Sequence, residues 1–239
     1  MKTVVLLSAH RCGSTAMLKV FQKHPDVKIV NKDQNIANWE PNFWYWADIA
    51  LKGDRTNFDR KLRESGVPIP KGKVLDKNRI FGTWDKILEM FGPIVFDKSP
   101  ISLQSRACTA LMLEYIKERK KQFDFFAMIR DPKDAIASQY AKWPGKDINW
   151  WKREWLKKHK HLEDLQTTLG FRIYRYEDVA KNPEIYIKKI LEGCGLIYNK
   201  SYHSHFKPVH VGRYRLSKQQ IFMGAEMKAH LKKYNYGRK

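Results

Sequence analysis

Short apolar runs alternate with amphipathic segments along most of the chain. The first run, residues 3–7, is rich in β-branched side chains and predicts a buried parallel strand, while residues 14–23 have the spacing of an amphipathic helix. Further strands are predicted at residues 28–30, 74–76, 94–96, 125–129 and 171–175. Further helices are predicted at residues 43–51, 57–65, 83–91, 103–121, 150–169, 183–194 and 217–234.

This alternation predicts the class of the fold. Strands that alternate with helices form parallel sheets whose two faces are both covered by helices. We therefore expect an α/β fold, a three-layer sandwich with a central parallel sheet flanked by helices. No internal repeat or long linker divides residues 1–239, which favours one domain. Ligands of such folds bind at the carboxyl ends of the strands, so residues that follow a predicted strand are the first functional candidates.

The turn between the first strand and the first helix has the composition of an anion site. A strand, a tight loop and a helix direct several backbone N–H groups and the positive end of the helix dipole at one place. The candidate contacts are Arg11, Cys12, Gly13, Ser14 and Thr15. We interpret this turn as a phosphate-binding loop, and the alternative is an ordinary turn. It is not a Walker A loop, because Ser8 stands at the first glycine and Ser14 replaces the lysine.

Composition limits the class of ligand. The chain has 43% hydrophobic residues, and its 46 Lys and Arg against 25 Asp and Glu give a net charge of +21. This charge favours anionic partners such as nucleic acid, an anionic glycan or an anionic cofactor. The three cysteines have no metal-binding or disulfide spacing, which suits a reducing compartment. No run approaches the roughly 18 apolar residues of a membrane span, and together with the reducing compartment this predicts a cytoplasmic protein.

A second candidate anion site lies far downstream. Residues 130–140 read RDPKDAIASQY, and Asp131 followed by proline is typical of the start of a helix. Arg130 can grip a phosphate bidentately, and Ser138, two turns into the helix, can donate one more hydrogen bond. An arginine on the surface before a capped helix is the alternative.

Two shorter segments carry further basic residues. Residues 97–100 read DKSP and place Lys98 at the end of a predicted strand. Gly212 and Arg213 precede the last predicted helix. A lysine in a turn, or a Gly-Arg pair in a surface loop, is also an ordinary feature of proteins.

Together these segments resemble the motifs of sulfotransferases that use 3′-phosphoadenosine 5′-phosphosulfate (PAPS), over roughly residues 3 to 235. The resemblance implies a P-loop-like fold, PAPS as donor, 3′,5′-bisphosphate adenosine nucleotide (PAP) as product, and no metal. It implies that the first loop holds the 5′-phosphosulfate. The implied ligands of the 3′-phosphate are Arg130, Ser138, Gly212 and Arg213. Arg11 replaces the usual lysine of the first loop, and Cys12 stands where serine or glycine is usual.

The resemblance also implies catalytic roles. Lys98 and Arg11 would neutralise charge on the departing phosphate. Residues 24–27, HPDV, resemble a segment of heparan-sulfate sulfotransferases in which a catalytic glutamate follows six residues later; here that position is Asp33. Asp33 is therefore the candidate base, Glu40 is its rival, and a capping or solvated role is the alternative for Asp33.

The implied reaction moves a sulfuryl group from PAPS to an acceptor hydroxyl by in-line displacement. The basic surface and the glycan-type motifs favour a saccharide acceptor, and a small alcohol, a phenol or a peptidyl tyrosine stays open. A P-loop kinase is one alternative, although it needs a Walker lysine and a metal-binding acidic strand end. A non-catalytic module that binds nucleic acid or another polyanion is the other.

Two further patterns have more ordinary interpretations. The aromatic clusters near residues 39–46 and 143–155 are typical of core and rim packing, with stacking on a ligand as the alternative. Residues 157–161, KKHKH, indicate a solvated helix face, with an extended binding track for a polyanion as the alternative.

Overall fold

The apolar run near the start of the chain forms the central strand of the sheet. In this computed structural model, which describes residues 1–206, 208–212, 214 and 221–236, β1 (Lys2–Ser8) has a parallel neighbour on each side. The other strands are β2 (Val27–Ile29), β3 (Ile94–Lys98), β4 (Gln122–Ile129) and β5 (Arg172–Arg175). They pair in parallel in the order β2-β3-β1-β4-β5, so the strand order reverses direction around β1.

Helices follow most of these strands. They are α1 (Ser14–Lys23), α2 (Phe43–Leu51), α3 (Thr56–Ser65), α4 (Lys77–Phe91), α5 (Arg106–Arg119), α6 (Pro132–Lys142), α7 (Ile148–Leu169), α8 (Tyr176–Lys181), α9 (Pro183–Gly193) and α10 (Ala225–Lys233). Short 3₁₀ turns occupy Pro100–Gln104, Lys200–His205 and Pro208–His210. Within the described ranges, no helix combines the length and the apolar character that a membrane crossing requires.

Alternate residues of β1 face different cores, because successive side chains of a strand point to opposite faces of the sheet. Val4 and Leu6 pack in a cluster with α1 and α9, whereas Val5 and Leu7 pack in a cluster with α7. A further cluster joins β3 to α2, α3, α4 and α5. The sheet is thus covered on both faces, and the three-layer α/β fold expected from the sequence is confirmed.

The region before β3 differs from the sequence prediction. The described residues 74–76 are not a strand, and α4 begins well before residue 83. The Asp76 carboxylate accepts a hydrogen bond of 2.8 Å from the Arg79 N–H and caps this helix. Gly82 weakens the helical signal of the sequence, but the buried apolar face of α4 outweighs it.

The helices near residues 103–121 and 217–234 also differ from their predictions. Ser105 ends the 3₁₀ turn after β3 and caps α5, because its hydroxyl accepts a hydrogen bond of 3.2 Å from the Cys108 N–H. The last helix, α10, begins at Ala225, and residues 221–224, which precede it, have no regular secondary structure. Residues 217–220 lie outside the described part of the chain. The short helix α8 was not predicted.

Candidate active site

The carboxyl ends of four strands open into one cleft of about 780 Å³. His10 follows β1, Pro100 follows β3, Arg130 follows β4 and Tyr176 follows β5, and all of them line it. Ligand sites in proteins commonly enclose about 300–1,000 Å³, and in open parallel sheets they lie where the strand order reverses. The cleft therefore has the position and the size of a substrate site.

The loop after β1 presents the start of α1 to the cleft. Two residues with left-handed backbone, Arg11 at φ 69° and Gly13 at φ 89°, turn the chain from the strand into the helix. None of the described side chains caps α1, whose first residue is Ser14. The first N–H groups of a helix have no partner inside the helix and carry partial positive charge. The loop therefore has the backbone geometry of an anion site.

Cys12 faces away from the cleft. Its side chain is buried in an apolar cluster with Ala135, Ile136 and Trp155. Burial raises the pKa of the Cys12 thiol to about 12, so the thiol stays protonated. The side chain predicted as part of the phosphate loop thus packs the loop against α6 and α7, and the structure supports no thiol role in binding or chemistry.

A methyl group at Gly13 is expected to damage this loop. An added Cβ would overlap the Tyr176 ring, and φ of 89° is strained for any L side chain. Gly13→Ala should therefore lower the free energy of unfolding by about 2 kcal/mol or more in urea denaturation. The control is Gly82→Ala, in the interior of α4, where a Cβ meets nothing within 4 Å. That change should raise stability by about 0.5–1 kcal/mol, and equal effects at both sites would contradict the proposed strain.

The two predicted anion turns are in direct contact. Arg11 Nε donates a hydrogen bond of 2.8 Å to Ser138 Oγ, and the Arg130 guanidinium donates one of 3.1 Å to the Arg11 carbonyl. Arg130 is 8% exposed and lies 4.9 Å from the centre of the Tyr176 ring. Burial first, and then the neighbouring Arg130 charge, lower the pKa of Arg11. Two cations held this close favour an anion between or beside them.

Asp134 joins the C-terminal loop to this site, although no signal in the sequence marks it as a site residue. Its buried carboxylate lies 3.5 Å from the Arg130 guanidinium. It also accepts hydrogen bonds from the backbone N–H groups of Gly212, at 2.7 Å, and Tyr214, at 2.8 Å. The predicted ligand Gly212 is therefore brought to the Arg130 turn. Arg213, predicted beside it, lies outside the described residues.

Lys98 and Arg130 lie on opposite sides of the loop after β1. Its side chain is 1% exposed, and its ammonium donates hydrogen bonds of 2.8 Å to both Glu40 Oε1 and Asn38 Oδ1. Thr15 Oγ1 donates a hydrogen bond of 3.1 Å to the same Asn38 oxygen. Burial lowers the pKa of Lys98, and the ion pair with Glu40 opposes that shift. This network links β3 to the start of α1.

A second hydrogen-bond chain fixes the segment that carries Glu40. The Asn42 N–H donates to Ser99 Oγ at 3.1 Å, and the Ser99 hydroxyl donates to Asp97 Oδ1 at 2.6 Å. All three groups are buried, and burial raises the pKa of Asp97 to about 6. Lys98 lies between Asp97 and Ser99 in the sequence. These hydrogen bonds therefore fix the position of Lys98 relative to Glu40.

Asp33, the first candidate for the base, lies outside the cleft. Its side chain is exposed, and its carboxylate accepts a hydrogen bond of 2.9 Å from the Asn35 N–H. This is the local turn that Asp commonly forms with its own backbone. Glu40, its rival, is the carboxylate that lines the cleft. Local capping holds Asp33 in the turn after β2, and the chain reaches the cleft only several residues later.

Comparison with known proteins identifies the family to which this architecture belongs. Residues 3–200 match the model of a sulfotransferase family. The chain belongs to the sulfotransferase family. A comparison with curated protein sequences finds no match.

Solved structures of other sulfotransferases share the fold of this one. The sulfotransferase domain of the Synechococcus PCC 7002 olefin synthase has a TM-score of 0.68 at 12% identity, covering 100% of this chain and 96% of its own. The sulfotransferase domain of the curacin biosynthetic pathway has a TM-score of 0.66 at 10% identity, covering 99% and 98%. A sulfotransferase from Alicyclobacillus acidocaldarius has a TM-score of 0.55 at 13% identity, covering 98% and 91%.

The basic run on α7 of this sulfotransferase is not the solvated face that its sequence indicates. Lys158 is 1% exposed, and His159 and His161 are also buried, whereas Lys157 and Lys160 are exposed. The run therefore has two faces, and Lys158 on the buried face contacts His10, which lines the cleft. Helical periodicity is present in the sequence, but lysine and histidine are rarely buried, so the pattern misled the prediction.

Most of the aromatic residues near the sulfotransferase cleft are packing residues. Trp44 and Trp155 are buried in the cores beside α2 and α7. Of the two aromatic clusters singled out in the sequence, Trp143 lines the cleft, where it is 40% exposed and contacts His10 edge to face at 5.8 Å between ring centres. This ring is a candidate contact for the acceptor.

Proposed function

We propose that this sulfotransferase transfers a sulfuryl group from PAPS to an acceptor hydroxyl. The observation that carries the proposal is the direct contact between the loop after β1 and the Arg130 turn, at one cleft that is also lined by Glu40, the ion-pair partner of the buried Lys98. One doubly phosphorylated nucleotide can reach both turns, because Arg130 bonds to the backbone of Arg11 itself.

The residues fit the two ends of such a donor. We assign the 3′-phosphate to Arg130 and Ser138, with the Gly212 loop closing over it, and the 5′ end to residues 11–15. The uncapped start of α1 and the two adjacent arginine side chains supply N–H donors and positive charge for phosphate oxygens. Arg11 has to release Ser138 when both groups engage the nucleotide. PAPS supplies a sulfuryl group whose bond to a phosphate oxygen breaks as the acceptor oxygen bonds to sulfur.

The reaction end of the cleft is assigned to Glu40 and Lys98. Glu40 takes the proton of the acceptor hydroxyl, because it is the carboxylate of the predicted pair that lines the cleft. Lys98 donates to the oxygen that leaves with PAP and stabilises its developing charge. The ion pair between the two side chains holds the carboxylate and the ammonium 2.8 Å apart before substrates bind.

The favoured acceptor is a saccharide, because its apolar face can stack on the exposed ring of Trp143 and the chain has an excess of basic residues. A small alcohol, a phenol and a peptidyl tyrosine are the other acceptors to be tested. A cytoplasmic location is consistent with three buried cysteines that form no disulfide in the described chain.

Calorimetric titration with PAP and with ADP tests the donor assignment. We expect PAP to bind at least about tenfold more tightly, because the 3′-phosphate gains charge-assisted hydrogen bonds that ADP does not make. Transfer of labelled sulfate from PAPS to a panel of saccharides, alcohols and phenols then identifies the acceptor. Equal affinity for PAP and ADP would contradict the donor. Salt-dependent binding of arbitrary DNA with no response to PAP would favour the polyanion-binding alternative.

A further inference from the structure

A buried cation lies behind the donor loop and has no carboxylate within ion-pairing distance in the described residues. The Lys158 side chain on α7 is 1% exposed, and its ammonium lies 3.2 Å from His10 Nδ1. His10 is the one hydrogen-bond partner of this ammonium in the described part of the chain. Buried charges in proteins are normally paired, so this arrangement is incomplete without an anion nearby.

His10 connects this cation to the cleft. The imidazole lines the cleft beside Arg11, and its Nδ1 accepts the hydrogen bond from Lys158. A neutral imidazole whose Nδ1 accepts carries its proton on Nε2, so the ring is a hydrogen-bond donor at its other nitrogen. Burial, and then the Lys158 charge, lower the pKa of His10 to about 4, so the ring is neutral at pH 7.

We propose that Lys158, acting through His10, is a positioning residue whose missing counter-ion is the anionic donor bound in the cleft. This inference rests on the proposed function, because it takes the anion to be the phosphate groups of PAPS or PAP. Lys158 fixes the His10 tautomer whose Nε2–H can donate a hydrogen bond to the nucleotide. Its positive charge also attracts the anion through a medium of low dielectric. Neither role needs Lys158 to touch the nucleotide.

The charged surroundings determine how this device responds to pH. The titratable groups around Lys158 are His10 and Cys12, on the loop after β1, and Glu154 and Lys157, on its own helix. His10 also lies within the field of Glu40, Lys98 and Arg11.

Burial lowers the pKa of Lys158 to about 8, and a bound anion raises it again. The protein without ligand therefore loses the Lys158 proton above pH 8, whereas the complex keeps it. The affinity for PAP is therefore highest below pH 8 and falls as the pH rises above it. Near pH 8, PAP binding is accompanied by protonation of Lys158.

Calorimetry with PAP at pH 7, 8 and 9, in buffers of different ionisation enthalpy, tests the inference. Wild type should take up about 0.5 proton per PAP at pH 8, where half of the Lys158 side chains are charged, and its affinity should fall by up to about tenfold per pH unit above that. Lys158→Met should weaken binding about tenfold at pH 7 and abolish both the proton uptake and the fall with pH. Lys158→Arg keeps the charge and should retain the affinity up to pH 9.

Lys157→Met is the matched control, because it removes an exposed lysine from the adjacent position of the same helix. It should leave the proton uptake intact. PAP binding by wild type without proton uptake at pH 7, 8 and 9 overturns the role of Lys158 and leaves the donor assignment standing, even if the Met variant does not fold. Wild type that does not bind PAP overturns the donor assignment and this inference together.

Discussion

Replacing Glu40 with glutamine is expected to lower the turnover number about 10²–10⁴-fold, the usual contribution of a positioned general base. The amide cannot take the proton of the acceptor, and it also leaves the buried Lys98 ammonium without its carboxylate partner. PAP affinity should change much less, because Glu40 is assigned to the acceptor end of the cleft. Release of PAP from PAPS, with the acceptor identified by the panel, measures turnover, and calorimetry with PAP measures affinity.

The decisive control for this prediction is Asp33→Asn. Both changes convert a carboxylate into an amide within the same segment, but Asp33 is exposed and bonds only to its own turn among the described contacts. Its turnover should stay close to that of wild type. A loss of turnover in Asp33→Asn with normal turnover in Glu40→Gln would reverse the assignment of the base. Loss in neither variant would mean that neither carboxylate is the base.

The sequence predicted best those parts of the site that a short segment determines by itself. The bounds of α1 and the cap of α6 at Asp131 follow from local signals, and both are found where the sequence predicts them. The strand ends, and with them Lys98 and Arg130, follow from short apolar runs bounded by polar residues. Because all parallel strands end at one edge, local prediction was enough to bring these residues to the carboxyl edge of the sheet.

Contacts between distant segments were beyond this reasoning. Glu40 pairs with Lys98 across 58 residues, and Asp134 binds the backbone of Gly212 across 78. Lys158 reaches His10 across 148 residues. The motif that starts at HPDV predicts Asp33, whose exposed side chain lies outside the cleft, whereas Glu40 lines it. Tertiary packing, which no local signal encodes, decided each of these positions.

Replacing Arg130 with alanine is expected to weaken PAP binding about 100-fold, the loss of about 3 kcal/mol that removal of charge-assisted hydrogen bonds to a phosphate implies. Arg130→Lys keeps the charge but not the planar fork, so its affinity should lie between those of alanine and wild type. At saturating PAPS, turnover should fall far less than affinity, because Arg130 is assigned to the 3′-phosphate, away from the reacting sulfur. The affinity for ADP, which has no 3′-phosphate, should change little.

Arg175→Ala provides the matched comparison for Arg130. Arg175 also ends a strand and also stacks on a tyrosine, with its guanidinium 4.3 Å from the centre of the Tyr236 ring, but it does not line the cleft. Its removal should leave PAP affinity unchanged even if stability drops. An equal loss of affinity in both variants would point to a general structural effect. Unchanged affinity in Arg130→Ala would show that Arg130 does not bind the nucleotide. It would contradict the proposal that one PAPS molecule binds both turns.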